Sequence, residues 1–345
     1  MRAISLGNTA FEGLNNAYLL EGEVTTLVDT GVATDTAREQ LTDGLSRAGY
    51  DVGDVEQVLL THFHADHAGL AGEIQDAGGA VVRAHEADAA LAAGEADARE
   101  DLKRRQRAAL ERWGMPDDPR KELLAFLERG EGIEGRPADV EAFTAGDRFA
   151  AGDRTLEAVH LPGHTAGLCG FVAETDYRSF TGAAGRELFC GDALLPYYTP
   201  NVGGADVRVE RPLANYLDTL AAVAGREYAR AWPGHRGPIV DPAGRAADIV
   251  AHHRERTDRV LSVLREHGPA DAWTVSAHLF GGLSNVHILH GPGEASAHLD
   301  HLAAAGVLTA EEVDGARRYG IADPGADLDA LFPLGIEREY PDPSA

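Results

Sequence analysis

The segment Thr61-His62-Phe63-His64-Ala65-Asp66-His67 puts three imidazoles and a carboxylate into six consecutive residues, immediately after the largely apolar run 55–60. No other feature of the chain restricts its fold so strongly. Ligand-type side chains this dense need a loop at the end of a strand, where the backbone turns sharply enough to aim them at two points. Imidazole suits zinc, iron and manganese, and a hard carboxylate joins either ion. With 15 histidines among 345 residues, four such groups in six positions are hard to obtain by chance.

Further donors follow short apolar runs in the same way. His164 lies in Leu161-Pro162-Gly163-His164, Asp192 follows Cys190-Gly191, and His235 follows Trp232-Pro233-Gly234. Each sits beside Gly or Pro, which permit tight turns at strand ends. The set resembles the metallo-β-lactamase superfamily, which contains glyoxalase II, lactonases and several nucleases, over residues 1 to about 240. That resemblance implies two divalent ions: His62, His64 and His164 would hold one, Asp66, His67 and His235 the other, and Asp192 would bridge them. Zinc is the expected metal, with iron and manganese as alternatives. The family also has an acidic residue at the position of Asp29, behind the loop, where it orients histidines and is not itself a ligand. His85 and His160 match no ligand position, and His160 reads as a core or loop histidine.

Charge enters next. Fifty-six acidic residues face 31 basic ones, a net −25, and only Lys103 and Lys121 are lysines. Such a surface repels itself until the Debye length shrinks to about 3 Å in 1 M salt. It resembles proteins of salt-in halophiles, haloarchaea especially. The same charge argues against nucleic acid as a partner, because counterion-release binding needs clustered cations. Cys169 and Cys190 lie in apolar contexts and read as buried free thiols, consistent with a reduced cytoplasm. The N-terminus is too short and polar for a secretory segment, and no apolar stretch is long enough to span a membrane.

A chain of 345 residues exceeds one ordinary core. Paired strands are expected at 16–20 and 24–28, with further strands at 55–60, 80–83, 156–161, 169–173 and 188–190. Helices are expected at 34–48, capped by Thr34 or Asp35, at 70–76, and at 211–224 with Leu213, Tyr216, Leu217, Leu220 and Val223 on one face. Strand pairs alternating with helices imply two packed sheets with helices outside. The resemblance makes this a four-layer αββα sandwich over 1–242, with a helical insertion at 86–146. The insertion's helix formers carry Lys103, Arg104, Arg105, Arg107 and Arg112, which either meet an anionic substrate as part of a helical lid or form a solvated face balanced by Glu95, Asp97, Glu100, Asp101 and Glu111 through i,i+4 pairs. It is expected to cover the entrance to the site, with Trp113 and Met115 lining the pocket.

Beyond His235, helices are expected at 243–267, 273–280 and 293–305, then two short strands, 307–309 and 318–320, across an acidic turn. This resembles the winged-helix-like domain (243–322) of the β-lactamase-like-2 branch of the superfamily. From residue 243 onward there are 8 basic against 16 acidic residues, the wrong sign for phosphate, so packing onto the catalytic domain or a homodimer partner is expected. The acidic tail 323–345 reads as loosely ordered.

Three reactions fit the motifs. The first is hydrolysis of a small ester, thioester or lactone, as in glyoxalase II, by a metal-activated hydroxide. Asp66 would orient it, and Tyr197 or Tyr198 would either donate to the oxyanion or pack in the core. The second is a β-lactamase-like-2 type endoribonuclease or phosphodiesterase, opposed by the charge. The third is an iron sulfur dioxygenase, which retains the same ligands. Zinc β-lactamases of the commonest group carry Arg and Cys where this chain has His67 and Asp192, which disfavours antibiotic hydrolysis.

Overall fold

The computed structural model describes residues 1–7, 13–129, 134–178, 184–283 and 287–332. Six strands form one sheet in sequence order: β1 (Arg2–Leu6), β2 (Asn15–Leu20), β3 (Thr26–Val28), β4 (Gln57–Leu59), β5 (Val81–His85) and β6 (Val140–Phe143). The first three are antiparallel, whereas β3 to β6 run parallel. Parallel neighbours need crossover helices. Between β3 and β4 this is α1 (Asp35–Ala48), which Thr34 caps by accepting from the Ala37 amide and Gly49 ends at φ 87°. Between β4 and β5 come the single turn α2 (Ala65–Ala68) and α3 (Ala71–Gly78).

The second sheet holds β7 (Arg148–Ala151), β8 (Arg154–His160), β9 (Cys169–Arg178), β10 (Ala184–Gly191) and β11 (Arg230–Pro233), in the order β11-β10-β9-β8-β7. Only β10 and β11 are parallel. Two antiparallel steps restore direction, so β8, β10 and β11 all end at the same edge.

The sheets pack face to face. Tyr18, Leu59 and Phe143 of the first meet Phe171, Phe189 and Trp232 of the second in one buried cluster. Outside, α1, α3 and α4 (Glu86–Ala92) cover the first sheet. The second is covered by α7 (Pro212–Gly225), whose five expected apolar residues are all buried, and by α8 (Pro242–His267). This is the four-layer α/β sandwich.

Past α8 come β12 (Ala270–Asp271), α9 (Ala272–Phe280), α10 (His287–Ala304), β13 (Leu308–Val313) and β14 (Ala316–Ile321), the strands forming a small β12-β14-β13 sheet. The acidic stretch expected as a turn is mostly strand. Glu311 and Glu312 lie opposite Arg318 and Arg317, and only Asp314-Gly315, both at positive φ, make the turn. Helix α10 begins six residues before the expected start and carries Pro292 inside it.

Three expectations are corrected. β6 pairs with β5, so the insertion proper reduces to α5 (Ala96–Arg112) and α6 (Asp117–Arg129). Those helices do not spend their apolar face on a pocket at the metals. Trp113 and Met115 are buried with Leu261, Leu299, Leu302 and Tyr319, because large apolar side chains gain most where the C-terminal helices exclude water around them. The tail is ordered at its start: Leu328 and Phe332 are buried and Arg254 pairs with Asp329 at 2.7 Å. Residues 333–345 of the expected loose tail lie outside the described residues. Among the described residues, no helix is long and apolar enough to cross a membrane.

Candidate metal centre

All seven proposed donors come from the ends of strands. His62 and His64 follow β4, and Asp66 and His67 ride on α2. His164, Asp192 and His235 follow β8, β10 and β11, whose ends the topology aligns. Cys169 of β9 ties the sheets together there by donating from its backbone to the Thr61 carbonyl at 2.8 Å.

The donors converge as two overlapping sets. His64 Nδ1 lies 3.0 Å from His62 Nε2 and 3.1 Å from His164 Nε2. Asp66 Oδ2 lies 3.8 Å from His67 Nε2 and 3.5 Å from His235 Nε2. Asp192 stands between, with one oxygen 3.5 Å from His67 and the other 3.4 Å from His235 and 3.7 Å from His164.

The outer nitrogen of every imidazole is occupied, which sets the tautomer. His62 Nδ1 faces Thr61 Oγ1 at 3.0 Å, and His64 Nε2 the Ala205 carbonyl at 3.2 Å. His164 Nδ1 faces the Asn201 carbonyl at 2.8 Å, and His235 Nδ1 the Gly13 carbonyl at 3.0 Å. His67 Nδ1 faces Asp29 Oδ2 at 2.9 Å. Asp29 also accepts from the Thr61 amide and hydroxyl, both at 2.8 Å, so it orients the loop as expected without being a ligand. In the neutral forms of these tautomers each inward nitrogen presents a lone pair.

Lone pairs this close repel unless a cation lies among them. His67 Nε2 and Asp192 Oδ1 are buried and have no hydrogen-bond partner among the described residues. At Gly234 a Cβ would fall 2.4 Å from His67 and 2.5 Å from Asp192 Oδ1, so glycine keeps that space clear. The residues therefore fit two metal ions. Burial keeps His62, His64 and His164 neutral, the last pushed down to about 4. Burial also opposes charge on His67 and His235, but Asp192 and Asp66 outweigh it and raise both. Burial would raise Asp192, yet His235 and His67 hold it well below the usual carboxylate range.

Residues that the motifs did not reveal complete the surroundings. Buried Asp88 accepts from Thr165 Oγ1 at 2.8 Å and the Gly167 amide at 3.0 Å, holding the His164 turn. Arg208 pairs with Asp88 at 2.6 Å and lies over the Phe63 ring. A cleft of about 590 Å³ is lined by Tyr197, Tyr198, Asn201, Arg245, His290 and Glu294 among others. Tyr197 and Tyr198 are exposed at 76% and 48%, which excludes core packing; the Tyr198 hydroxyl accepts from Arg236. His290 is pushed down to about 3 by burial and by neighbouring His164, so it is neutral. Its only signal in the sequence is the His287/His290 spacing of one helical turn. His160 is exposed, not buried; it stacks on His85 and bonds to the Ala166 carbonyl.

His253, Glu294 and His298 also cluster. There the guanidinium of Arg256 pairs with Glu294 and takes the place a second cation would need. His253 and His298 bond to each other at 3.2 Å, anchored by Thr257.

Two packed sheets with a histidine- and aspartate-lined centre at their shared edge define a metallo-hydrolase. The sequence pattern of the metallo-beta-lactamase superfamily matches residues 10–235, and the chain belongs to that superfamily. A probable metallo-hydrolase of Bacillus subtilis, YqjP, is 27% identical over 312 residues, covering 85% of this chain and 88% of its own length. A metallo-beta-lactamase family protein from Thermus thermophilus superposes with a TM-score of 0.76 at 30% identity, covering 93% of this chain and 98% of that one. A protein of Emericella nidulans named thioesterase pkgB is 22% identical over 310 residues, covering 88% of this chain and 70% of its own.

Proposed function

We propose that the chain is a dinuclear hydrolase of a small ester or thioester, with chemistry like that of glyoxalase II. The observation that carries this reading is the convergence of seven metal-type donors, two of their atoms buried without a hydrogen-bond partner among the described residues; a cleft of small-molecule size reaches this centre through Asn201, whose carbonyl faces His164. Two divalent cations, zinc for this donor set, would supply an acidic water and a Lewis acid for the carbonyl. Asp66, fixed by Asn15 Nδ2 at 3.2 Å, orients the attacking water and takes its proton. The neutral ring of His290 and the hydroxyls of Tyr197 and Tyr198 bind the substrate along the cleft. No cysteine acts as nucleophile: burial raises both thiols far above neutrality, and Cys190 Sγ bonds to the Leu194 carbonyl inside the core. The name of the thioesterase relative supports the acyl class.

Residues 243–322 then form a winged-helix-like unit whose role is packing. The acidic residues of its hairpin face Arg317 and Arg318, and a net charge of −25 disfavours phosphate ligands. Zinc-loaded protein in molar KCl would be assayed with p-nitrophenyl acetate, S-lactoylglutathione, a homoserine lactone and single-stranded RNA. Turnover of an acyl substrate is expected, with Asp66→Ala lowering kcat/KM by roughly 10²- to 10⁴-fold and Cys190→Ala retaining most of it. RNA cleavage abolished by His64→Ala, with no acyl turnover, would assign the nuclease reading instead.

A further inference from the structure

The two ligand sets are supported from different parts of the chain. His67 and His235 lean on Asp29 and Gly13, and Asp66 on Asn15, all from the N-terminal strands and their connections. His64 and His164 lean on the Ala205 and Asn201 carbonyls, both in the irregular segment 201–205. That segment has no ladder or helix of its own to fix it, so its position depends on what it packs against.

Its support is α10. Asn201 Nδ2 donates to the His290 carbonyl at 3.1 Å and to Glu294 Oε2 at 3.2 Å, while its Oδ1 accepts from the Gly204 amide at 3.1 Å. Glu294, buried, is held in turn by Arg256 of α8. His290, Gly293 and Glu294 are spaced i, i+3, i+4 and share one helix face. Backbones touch there: a Cβ at Gly204 would fall 2.6 Å from His290 Cα, and one at Gly293 would fall 2.3 Å from Gly204 Cα. Only glycine permits this approach.

We propose that α10 is a structural part of the His62–His64–His164 site, with Asn201 and Glu294 as positioning residues that act through the 201–205 carbonyls. The helix serves one ligand set and not the other. Loosening the contact frees the outer nitrogens of His64 and His164, so their rings lose the orientation that presents two of the three lone pairs. The Asp66–His67–His235 set keeps its own supports.

The inference rests on the metal reading, and the test separates the two. Cobalt(II) binding to the full-length protein is followed by absorption in two backgrounds: His235→Ala, which leaves the first set intact, and His164→Ala, which leaves the second. Gly204→Ala puts a methyl group against His290 at a φ that alanine tolerates. It is expected to raise the cobalt Kd roughly 10- to 100-fold in the first background, the usual effect of losing a ligand's hydrogen-bond support, and to leave the second unchanged. Glu294→Ala should do the same, whereas Glu294→Gln, which keeps an acceptor for Asn201, should retain much of the affinity. Wild-type protein that takes up no cobalt would refute the metal reading. Two cobalt ions in the wild type, with Gly204→Ala and Glu294→Ala weakening both backgrounds equally or neither, would refute the role of α10 alone.

Discussion

Asp29→Asn isolates the part of the site that acts through hydrogen-bond polarity. Asp29 sits at φ 58°, a left-handed conformation that asparagine tolerates as readily, so the substitution leaves the backbone unstrained. Its Oδ1 accepts from the Thr61 amide, and its Oδ2 from the Thr61 hydroxyl and His67 Nδ1. An amide has one oxygen, so whichever way it turns, at least one donor faces a donor. A hydrogen bond to a charged acceptor contributes about 1.5–3 kcal/mol, and the metal-free protein should lose about that much stability. If the NH₂ meets His67, the ring favours the tautomer protonated at Nε2, which cannot ligate. If it meets the Thr61 amide, the whole 61–67 loop shifts. Either way second-set metal affinity should fall roughly 10- to 100-fold, or about 1.4–2.8 kcal/mol. Chelator-competition titration reads the affinity and urea unfolding of the chelated protein reads the stability. A second-set Kd within about twofold of wild type would mean that Asp29 orients nothing.

Metal analysis should return two ions for the wild type; Asp192→Ala should weaken both sites because its oxygens face both sets, whereas His235→Ala should mainly empty the second. One ion or none bound by intact protein would overturn the dinuclear assignment. Acid should destabilise the fold through His253 and His298, which burial first and then Arg256 among neighbouring charges hold neutral, with pKa values well below normal. The unfolded chain takes up these protons from about pH 6.5 downward while the fold does not, so this stability is complete above that pH and is lost as pH falls. Urea midpoints should drop from pH 7 to 5 with a shallower slope in His298→Asn, and equal slopes would exclude the pair as the cause. Melting temperature should rise from low to molar KCl as screening relieves repulsion in a chain of net charge −25; a flat or falling curve would remove the halophilic reading.

The parts of the fold legible in the sequence are those where side-chain identity and local geometry coincide. The helix α1 announces itself through Thr34 and Gly49, and α7 through a clean apolar stripe. The metal donors stand out because a strand end needs Gly or Pro and a metal needs His or Asp, and both requirements fall within a few residues. Edge strands lack such marks. β1, β6 and β7 bury only one or two positions each, so nothing in residues 140–143 marks β6 within the stretch that reads as a helical insertion. The first turn of α10 carries no mark in the sequence, because it lies ahead of Pro292 and a proline normally bounds a helix rather than sitting inside it.

The unequal legibility of the two ligand sets has a physical cause. The second set is supported in part by the Asp29 carboxylate, a residue whose type can be recognised. In the first set His62 is held by the neighbouring Thr61 hydroxyl, but His164 and His64 are held by the carbonyls of Asn201 and Ala205, and any residue supplies a carbonyl, so nothing in the sequence marks them. What fixes those carbonyls lies about ninety residues away in α10, through the bonds of Asn201 to His290 and Glu294, separated by 89 and 93 positions. The glycines that permit the contact, Gly203, Gly204 and Gly293, look in the sequence like ordinary loop and helix-start punctuation. Motifs therefore locate the ligands, while the geometry that makes three imidazoles converge is set by backbone atoms and by the absence of Cβ atoms, both of which become visible only once the C-terminal helices are packed against the sandwich.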